Sequence, residues 1–299
     1  MQKNHFLQGL FFLVFAQIMV SFNIVVSKYL LTSMPVLLMI TLRFLLAAVI
    51  LLPLHWLTKD SKIKLKDHVK ALTKRDWLFL LAQAITAGAL FNCLMLYGLK
   101  YTDANVAGII TSALPAIIAL MSFVILKEEF NLKKLICVLF TCVGLVIIAL
   151  EKFKHAAHQS LFGNLIIVLA LLPESSYYIL VKLHPNRLPV FFASSLINAI
   201  NALIVLPLAI FFSSTNPLLL TSFDWQILFL LGLSSGLFYV FWYFGCQHVD
   251  GTMSSLSTAV MPLATVVLAF IILGEQLSLS QALGMGLIIL SIAIYARKG

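Results

Sequence analysis

The chain has 299 residues, of which 62% are apolar and only 10% are charged, and its mean hydropathy is +1.05. Soluble domains carry about 25% charged residues, so this composition excludes a soluble globular protein and predicts a polytopic membrane protein. The net charge of +9 is compatible with a nucleic-acid partner, but the basic residues lie mainly in connections between apolar runs, which argues against one.

The apolar pattern predicts ten membrane-spanning helices, although a few are shorter or more polar than the roughly 20 residues that a crossing requires. Fifteen of the twenty Lys and Arg residues fall on one side if the N-terminus is cytoplasmic, and four fall on the other. The positive-inside rule therefore places both termini in the cytoplasm, with anionic lipid beside the basic segments. The predicted spans are residues 6–27, 35–57, 77–99, 104–126, 132–150, 161–182, 189–213, 225–246, 252–273 and 279–296.

The first span carries two polar residues on one face. Gln17 and Ser21 lie four residues apart, so they share a side of the helix. Unpaired polar groups are costly in hydrocarbon, and we expect this face to point to protein or to a cavity. Hydrogen bonding between helices explains the same pattern equally well, so both interpretations stay open.

The polar connections have structural explanations. Residues 58–76 alternate lysines with apolar residues, which predicts an amphipathic stretch on the inner membrane surface. Asp76, Asp103 and Asp224 each stand at the start of a predicted span, where an Asp can cap the exposed N–H groups of the helix. We therefore expect these acids to stabilise helices rather than to catalyse a reaction. Glu128 and Glu275, at the far ends of spans four and nine, are expected to pair with a neighbouring basic residue or to cap the next helix.

Glu174 is the most unusual intramembrane residue, because it lies near the middle of the sixth span, directly after a proline. An ionised residue there costs about 2.5–3.5 kcal/mol on insertion scales, so such residues usually line a functional path. Tyr177 and Tyr178 follow three and four residues later, on the same helix face. Two interpretations stay open: a substrate or proton site, or a buried structural partner of a residue such as Gln17 or Asn92.

Other candidate sites are weaker. Tyr239, Trp242 and Tyr243 recur at helical spacing in the eighth span, which is typical of packing or an interfacial belt, although such a cluster beside a carboxylate could hold an organic cation. His155 and His158 have no further metal ligand nearby, and the four cysteines lack zinc-site spacing. We therefore expect neither a metal nor a cofactor.

The chain contains an internal repeat. Residues 97–129 and 244–276 match at a fixed offset of 147, and residues near the start of each half match at an offset of 154. Five spans per half is an odd number, so two equivalent halves must cross the membrane in opposite senses, with a substrate site between them. This predicts repeats at residues 1–150 and 151–299. The matched pairs at offset 147 are Gly98 and Gly245, Asp103 and Asp250, Pro115 and Pro262, and Glu128 and Glu275.

Several stretches together carry a family resemblance. They are SFNIVVSK at 21–28, Pro35, Arg43, LLP at 51–53, the two Pro…Glu blocks at 115–128 and 262–275, and the segments that follow those blocks. With these the sequence resembles the ten-helix EamA-type transporters of the drug/metabolite transporter superfamily. The resemblance implies a bacterial inner-membrane carrier of amino acids, other metabolites or drugs, with a central cavity between its halves. One departure is PESS at 173–176, where relatives usually have apolar or aromatic residues.

We predict an all-α secondary transporter, not an enzyme, that moves an amino acid or a related amine or aromatic compound by alternating access. Protons are the candidate coupling ion, and the other expected partners are membrane lipids. The alternatives are a multidrug or organic-cation exporter of the same fold, a membrane-embedded enzyme, and a non-transporting receptor. The candidate substrate-binding residues are Glu174, Tyr177, Tyr178, Trp242, Gln17, Ser21, Asn92 and Ser257, and the candidate hinges are Pro115 and Pro262.

Overall fold

The computed structural model describes residues 2–58, 64–127, 139–140, 143, 158–184, 188–212, 220–249 and 257–296, and all regular structure in these ranges is helical. Twelve α-helices are described, and two π-helical turns, Ala84–Leu90 and Ala269–Leu273, follow α4 and α11. The helices are α1 Gln2–Leu30, α2 Val36–His55, α3 Leu65–Lys70, α4 Lys74–Gln83, α5 Phe91–Leu99, α6 Ala104–Thr111, α7 Leu114–Leu126, α8 His158–Leu183, α9 Val190–Phe212, α10 Ser222–Cys246, α11 Val260–Leu268 and α12 Leu279–Ala296.

Seven helical segments are long and apolar enough to cross a membrane, which confirms a multi-pass membrane protein. They correspond to predicted spans one to four and six to eight. The shorter apolar segment Val260–Leu273 corresponds to span nine, and α12 to span ten. Most of predicted span five, residues 132–150, lies outside the described ranges, so the number ten stays a prediction. The seven segments are Phe6–Leu30, Val36–His55, Lys74–Leu99, Ala104–Leu126, Leu161–Leu183, Val190–Phe212 and Ser222–Cys246.

Two close contacts between glycines define the two ends of the bundle. A Cβ on Gly245 would lie 3.2 Å from the carbonyl oxygen of Gly9, and a Cβ on Gly98 would lie 3.0 Å from the carbonyl oxygen of Gly163. We call these the Gly9 end and the Gly163 end; the distribution of basic residues predicts that the Gly9 end is cytoplasmic. α6 and α8 both begin at the Gly163 end.

The same two contacts reveal the symmetry of the packing. Gly9 and Gly163 are 154 residues apart, and Gly98 and Gly245 are 147 apart, which are the two offsets of the repeat. The packing of α1 on α10 therefore reappears as the packing of α8 on α5, with the halves exchanged. Two further contacts join one half to the other: α2 packs against α9, and α6 packs against α11. The two helices of each pair occupy equivalent positions in the repeat, so exchanging the halves leaves the pair unchanged. Such an exchange is what an inverted repeat predicts.

One residue breaks this symmetry inside the third span. Asp76 and Gly98 are 22 residues apart, whereas their counterparts Asp224 and Gly245 are 21 apart. The third span contains the π-helical turn Ala84–Leu90, whereas α10 is a continuous α-helix. A π turn is how a helix accommodates one inserted residue, and such turns are frequent at functional sites. The extra residue of the first half is therefore absorbed at the middle of its span.

The expectation about the aspartate caps needs correction. In α4 the N-cap residue is Thr73, whose side chain accepts from the Asp76 N–H, while the Asp76 carboxylate accepts from the Thr73 N–H in a capping box. Thr221 and Asp224 do the same for α10. Asp103 stands at the N-cap of α6 but makes no capping bond with its side chain. Ser, Thr and Asp are all good caps, so sequence alone did not show which would serve.

Spans four and nine are each interrupted just before a predicted hinge proline. α6 ends at Thr111, and Pro115 lies in the first turn of α7. In the ninth span α11 starts at Val260 after a turn at 258–259, with Pro262 in its first turn. Discontinuous helices of this kind surround the substrate sites of many secondary transporters. The hinge role of the two prolines remains a proposal.

Candidate functional site

A small cavity lies near the middle of the bundle, between helices of both halves. Its volume is about 40 Å³, which is room for a few water molecules. Ligand sites occupy about 300–1,000 Å³, so a metabolite would require the cavity to open. The lining residues are Val20, Asn23, Ile24, Arg43, Phe44, Ala87, Phe91, Asn92, Met95, Leu96, Glu174, Ser235, Phe238 and Tyr239.

Arg43 supplies a buried positive charge to this cavity. Its residue is 1% exposed, and its guanidinium donates to the Ser27 hydroxyl at 3.3 Å and to Oδ1 of Asn92. Its Nε atom has no hydrogen-bond partner in the described part of the chain. A guanidinium surrounded by neutral acceptors retains its full charge and has room for a further acceptor. It is therefore suited to bind an anionic group such as a carboxylate.

Asn92 connects this arginine to the π-helical turn. The amide of Asn92 donates to the carbonyl oxygens of Ala87 and Gly88, at 3.0 and 2.7 Å, and its oxygen accepts from Arg43. Both carbonyls belong to the π turn, where backbone groups lose their regular helical partners. The π turn that accommodates the inserted residue therefore orients Asn92, and Asn92 holds the Arg43 guanidinium in the cavity.

Glu174 supplies an acidic group to the same cavity. It is 1% exposed, and its Oε2 has no hydrogen-bond partner among the residues that the structure describes. The hydroxyl of Tyr178 and the side chain of Tyr239 lie next to it. Arg43 and Glu174 line the same cavity, yet the ion pairs of the described residues involve other side chains. A guanidinium and a carboxyl group, neither of which has an ion-pair partner among the described residues, therefore face one space.

Aromatic rings cover the side of the cavity toward the Gly9 end. The rings of Tyr178 and Trp242 are 4.8 Å apart, and those of Tyr177 and Tyr239 are 6.1 Å apart. Among these aromatic residues, Phe238 and Tyr239 line the cavity. Behind them, Tyr177, Tyr178 and Trp242 form a buried layer.

The remaining predicted site residues occupy different positions. Gln17 is fully buried beside Tyr178, and neither of its amide atoms has a partner within the described ranges. Ser21 donates to the carbonyl oxygen of Met261 at 2.8 Å, which is the hydrogen bond between helices that was the open alternative for this face. Ser257 is buried at the start of the ninth span and is not part of the cavity lining. Of the eight predicted residues, the structure brings Glu174 and Asn92 to the cavity.

Sequence reasoning missed several lining residues. Arg43 was visible as a charge within a span, and the rule that singled out Glu174 applies to it equally. Asn23 donates to the Ser234 hydroxyl at 2.8 Å and accepts from the Ser235 hydroxyl at 3.1 Å, so it joins the two halves beside the cavity. A polar residue at this position in the first span was the available signal. Tyr239 was noticed only as part of an aromatic stripe.

A charged cluster closes the Gly163 end. The Lys28 ammonium lies 3.3 Å from both Asp103 and Glu275. The two carboxylate oxygens of Glu275 accept the N–H groups of Ala104 and Asn105, at 3.0 and 2.7 Å. Glu275 of the second half therefore caps α6 of the first half, the role that was assigned to Asp103. The equivalent acids of the other end, Glu128 and Asp250, lie outside the described residues.

Comparisons with known proteins agree with this architecture. The profile of the EamA-like transporter family matches residues 7–150 and 161–297. A Bacillus subtilis (strain 168) protein described as "Uncharacterized transporter YetK" is 31% identical over 278 residues, which cover 92% of this chain and 82% of that protein. "Uncharacterized transporter YoaV" of the same organism is 22% identical over 256 residues, covering 84% of each chain.

A solved structure, described only as the crystal structure of a protein, superposes with a TM-score of 0.67 at 18% identity. The match covers 98% of this chain and 96% of the other, and at this identity the likeness concerns the fold alone. Taken with the profile match over both halves, these findings show that the chain belongs to the EamA-like transporter family, a family of multi-pass membrane proteins.

Proposed function

We propose that this protein is a secondary transporter, not an enzyme, that carries a small zwitterion, an amino acid or a close relative, across the bacterial inner membrane. The observation that supports this most directly is that a buried base, Arg43, and a buried acid, Glu174, line one cavity between the two halves without an ion-pair partner among the described residues. Both termini would be cytoplasmic.

The chemistry of the cavity matches both ends of such a substrate. The carboxylate would accept from the guanidinium of Arg43, whose planar donors suit two-point binding. The ammonium group would lie against Glu174, and an apolar side chain would contact Phe238 and the ring of Tyr239. A buried charge without a counter-charge is destabilising, so a zwitterion that neutralises both charges at once gains more than a molecule with a single charge.

Transport would follow from opening the two ends in turn. The cavity of about 40 Å³ is smaller than a substrate requires, so it would have to widen to admit one. The Lys28–Glu275 cluster joins the halves at the Gly163 end and would have to separate when that end opens. The interrupted helices beside Pro115 and Pro262 are where we place the bending. Protonation of Glu174 on substrate release would couple the cycle to protons.

The test is uptake by purified protein in sealed liposomes. Labelled amino acids would be screened, and each active one compared with its decarboxylated amine and its N-acetyl derivative. We expect transport only when both charged groups are present. Equal transport of the decarboxylated amine would remove Arg43 from recognition and contradict the proposal. One further candidate is an organic-cation exporter, because Phe238 and Tyr239 lie beside an acid on the cavity. In that case Arg43→Gln would transport a quaternary amine as well as the native protein does.

A further inference from the structure

Beyond the cavity, α9 carries a stripe of buried polar side chains. Ser194, Asn198 and Asn201 are spaced four and three residues apart, which places them on one helix face. Ser194 and both asparagines are 0% exposed. The Ser194 hydroxyl, Oδ1 of Asn198 and both amide atoms of Asn201 make no hydrogen bond of good geometry with any described residue. In a membrane protein such atoms need an occupant that can bond to them.

The stripe starts at the cavity. The side chain of Asn201 lies beside Tyr239, which lines the cavity, and against Gly88 of the π turn. A Cβ on Gly88 would lie 2.0 Å from Nδ2 of Asn201, so the glycine makes the space that this amide occupies. Ser194 is seven residues nearer the start of α9, about 10 Å along the helix axis. Because α9 begins at the Gly9 end, the stripe runs from the cavity toward the predicted cytoplasmic face.

A second row of polar atoms on α8 runs in the same direction. The Ser175 and Tyr177 hydroxyls are buried and, within the described ranges, also lack hydrogen-bond partners. Tyr177 contacts Tyr239 with ring centroids 6.1 Å apart, so this row joins the first one beside the cavity. Glu174 immediately precedes Ser175 on this helix. The charged and titratable groups that face Glu174 are Arg43 on α2, Tyr239 on α10 and Tyr178 on α8 itself.

The other half of the repeat provides an internal comparison. At the offset of 154 the stripe corresponds to Ile40, Phe44 and Ala47 of α2, which are 0%, 2% and 0% exposed. The two stripes are equally buried and equivalent in the fold, but one is polar and the other is apolar. Helix packing alone would place no polar groups in either half. The counterparts of Ser175 and Tyr177 are Ser21 and Asn23 of α1, which are polar but donate hydrogen bonds to Met261 and Ser234 of the other half. Unpartnered polar atoms in these two rows therefore have no unpartnered counterpart at the equivalent described positions.

We propose that the polar side chains of α8 and α9 hold a file of water molecules that connects Glu174 to the Gly9 end, while their counterparts on α1 and α2, which are hydrogen-bonded or apolar, hold no such file. We choose water as the occupant because it is small and can both donate to and accept from hydroxyl and amide groups that lack partners. The role of this file as a proton route to Glu174 rests on the proposed transport function. The presence of water in the file, and its restriction to the Gly9 side, do not depend on that function.

Silver-ion accessibility tests the path without requiring any transport. All four cysteines would be replaced by alanine, and single cysteines introduced at Ser194 and, as the matched control, at Ile40. Sealed vesicles of each orientation would be exposed to Ag⁺, which is small enough to follow a water file, and unblocked thiols counted after denaturation. We expect Ser194→Cys to be blocked at least tenfold faster from the Gly9 side than from the other side. Ile40→Cys should resist from both sides.

Each outcome decides something. Equal protection of Ser194→Cys and Ile40→Cys would overturn the water path even if amino acids are transported normally. Blocking of Ser194→Cys from the Gly9 side would support the path even if the substrate screen failed. A second variant, Asn198→Leu, interrupts the stripe with a side chain of similar size. We expect it to keep its thermal stability and to abolish the response of uptake to pH on the Gly9 side; an unchanged pH response would contradict the proton role.

Discussion

Replacement of Asn92 by leucine isolates the link between the π turn and the buried charge. The variant loses two bonds to the carbonyls of Ala87 and Gly88 and one to Arg43. A typical hydrogen bond contributes about 0.5–1.5 kcal/mol, and one to a charged group about 1.5–3 kcal/mol. Two local bonds within the span at about 0.6 kcal/mol each and one bond to a buried guanidinium at about 1.7 kcal/mol predict that the free energy of unfolding falls by about 3 kcal/mol.

The assay is reversible unfolding of the purified protein in mixed micelles, with Thr86→Val as the matched control. Thr86 lies in the same π turn and donates to the Ala82 and Gln83 carbonyls, but it is not part of the cavity lining. We expect this near-isosteric change to cost less than about 1 kcal/mol. A double-mutant cycle with Arg43→Gln should give a coupling of about 1 kcal/mol or more. If Asn92→Leu costs no more than Thr86→Val, the reasoning is wrong.

Two further substitutions test the contacts between the halves. Glu275→Leu removes the cap of α6 and leaves Lys28 without one of its two acids. We therefore expect the free energy of unfolding to fall by about 1–2 kcal/mol, and to fall less in Glu275→Gln. Equal losses in the two variants would show that the charge of Glu275 is irrelevant there. Gly108→Ala would bring a Cβ to 2.7 Å from the Thr265 Cβ where α6 crosses α11, and we expect a cost of about 1–3 kcal/mol in thermal stability. Gly286→Ala is the control, because no described atom lies within 4 Å of a Cβ there, and a similar loss in both variants would refute the close crossing.

The sequence predicted the architecture better than the site, and particular residues explain why. The apolar runs and the offsets of the repeat depend on local composition and on counting, so the membrane fold could be predicted without contacts. Glu174 stood out because a charge in a span is costly wherever it lies. The placement of Glu174 and Arg43 on one cavity depends on how α2 packs against α9 and α10 and how α8 packs against α5, which helical spacing does not reveal.

Two other features show the same limit. The one-residue difference between the halves was present in the spacing of Asp76 and Asp224 to their glycines, but only the structure shows that a π turn absorbs it. Asp103 has the residue type and position of a helix cap, yet Glu275 caps α6 from the other half of the chain. Rules that consider only neighbouring residues cannot predict a capping residue that is 171 positions away in the sequence.

The most direct test of the two-charge site is a binding measurement with charge-deleted variants. Equilibrium binding of a transported amino acid, its decarboxylated amine and its N-acetyl derivative would be measured in detergent for the native protein, Arg43→Gln and Glu174→Gln. We predict that the native protein prefers the amino acid at least tenfold, that Arg43→Gln loses this preference over the amine, and that Glu174→Gln loses it over the N-acetyl derivative. The same preference in all three proteins would contradict recognition by Arg43 and Glu174.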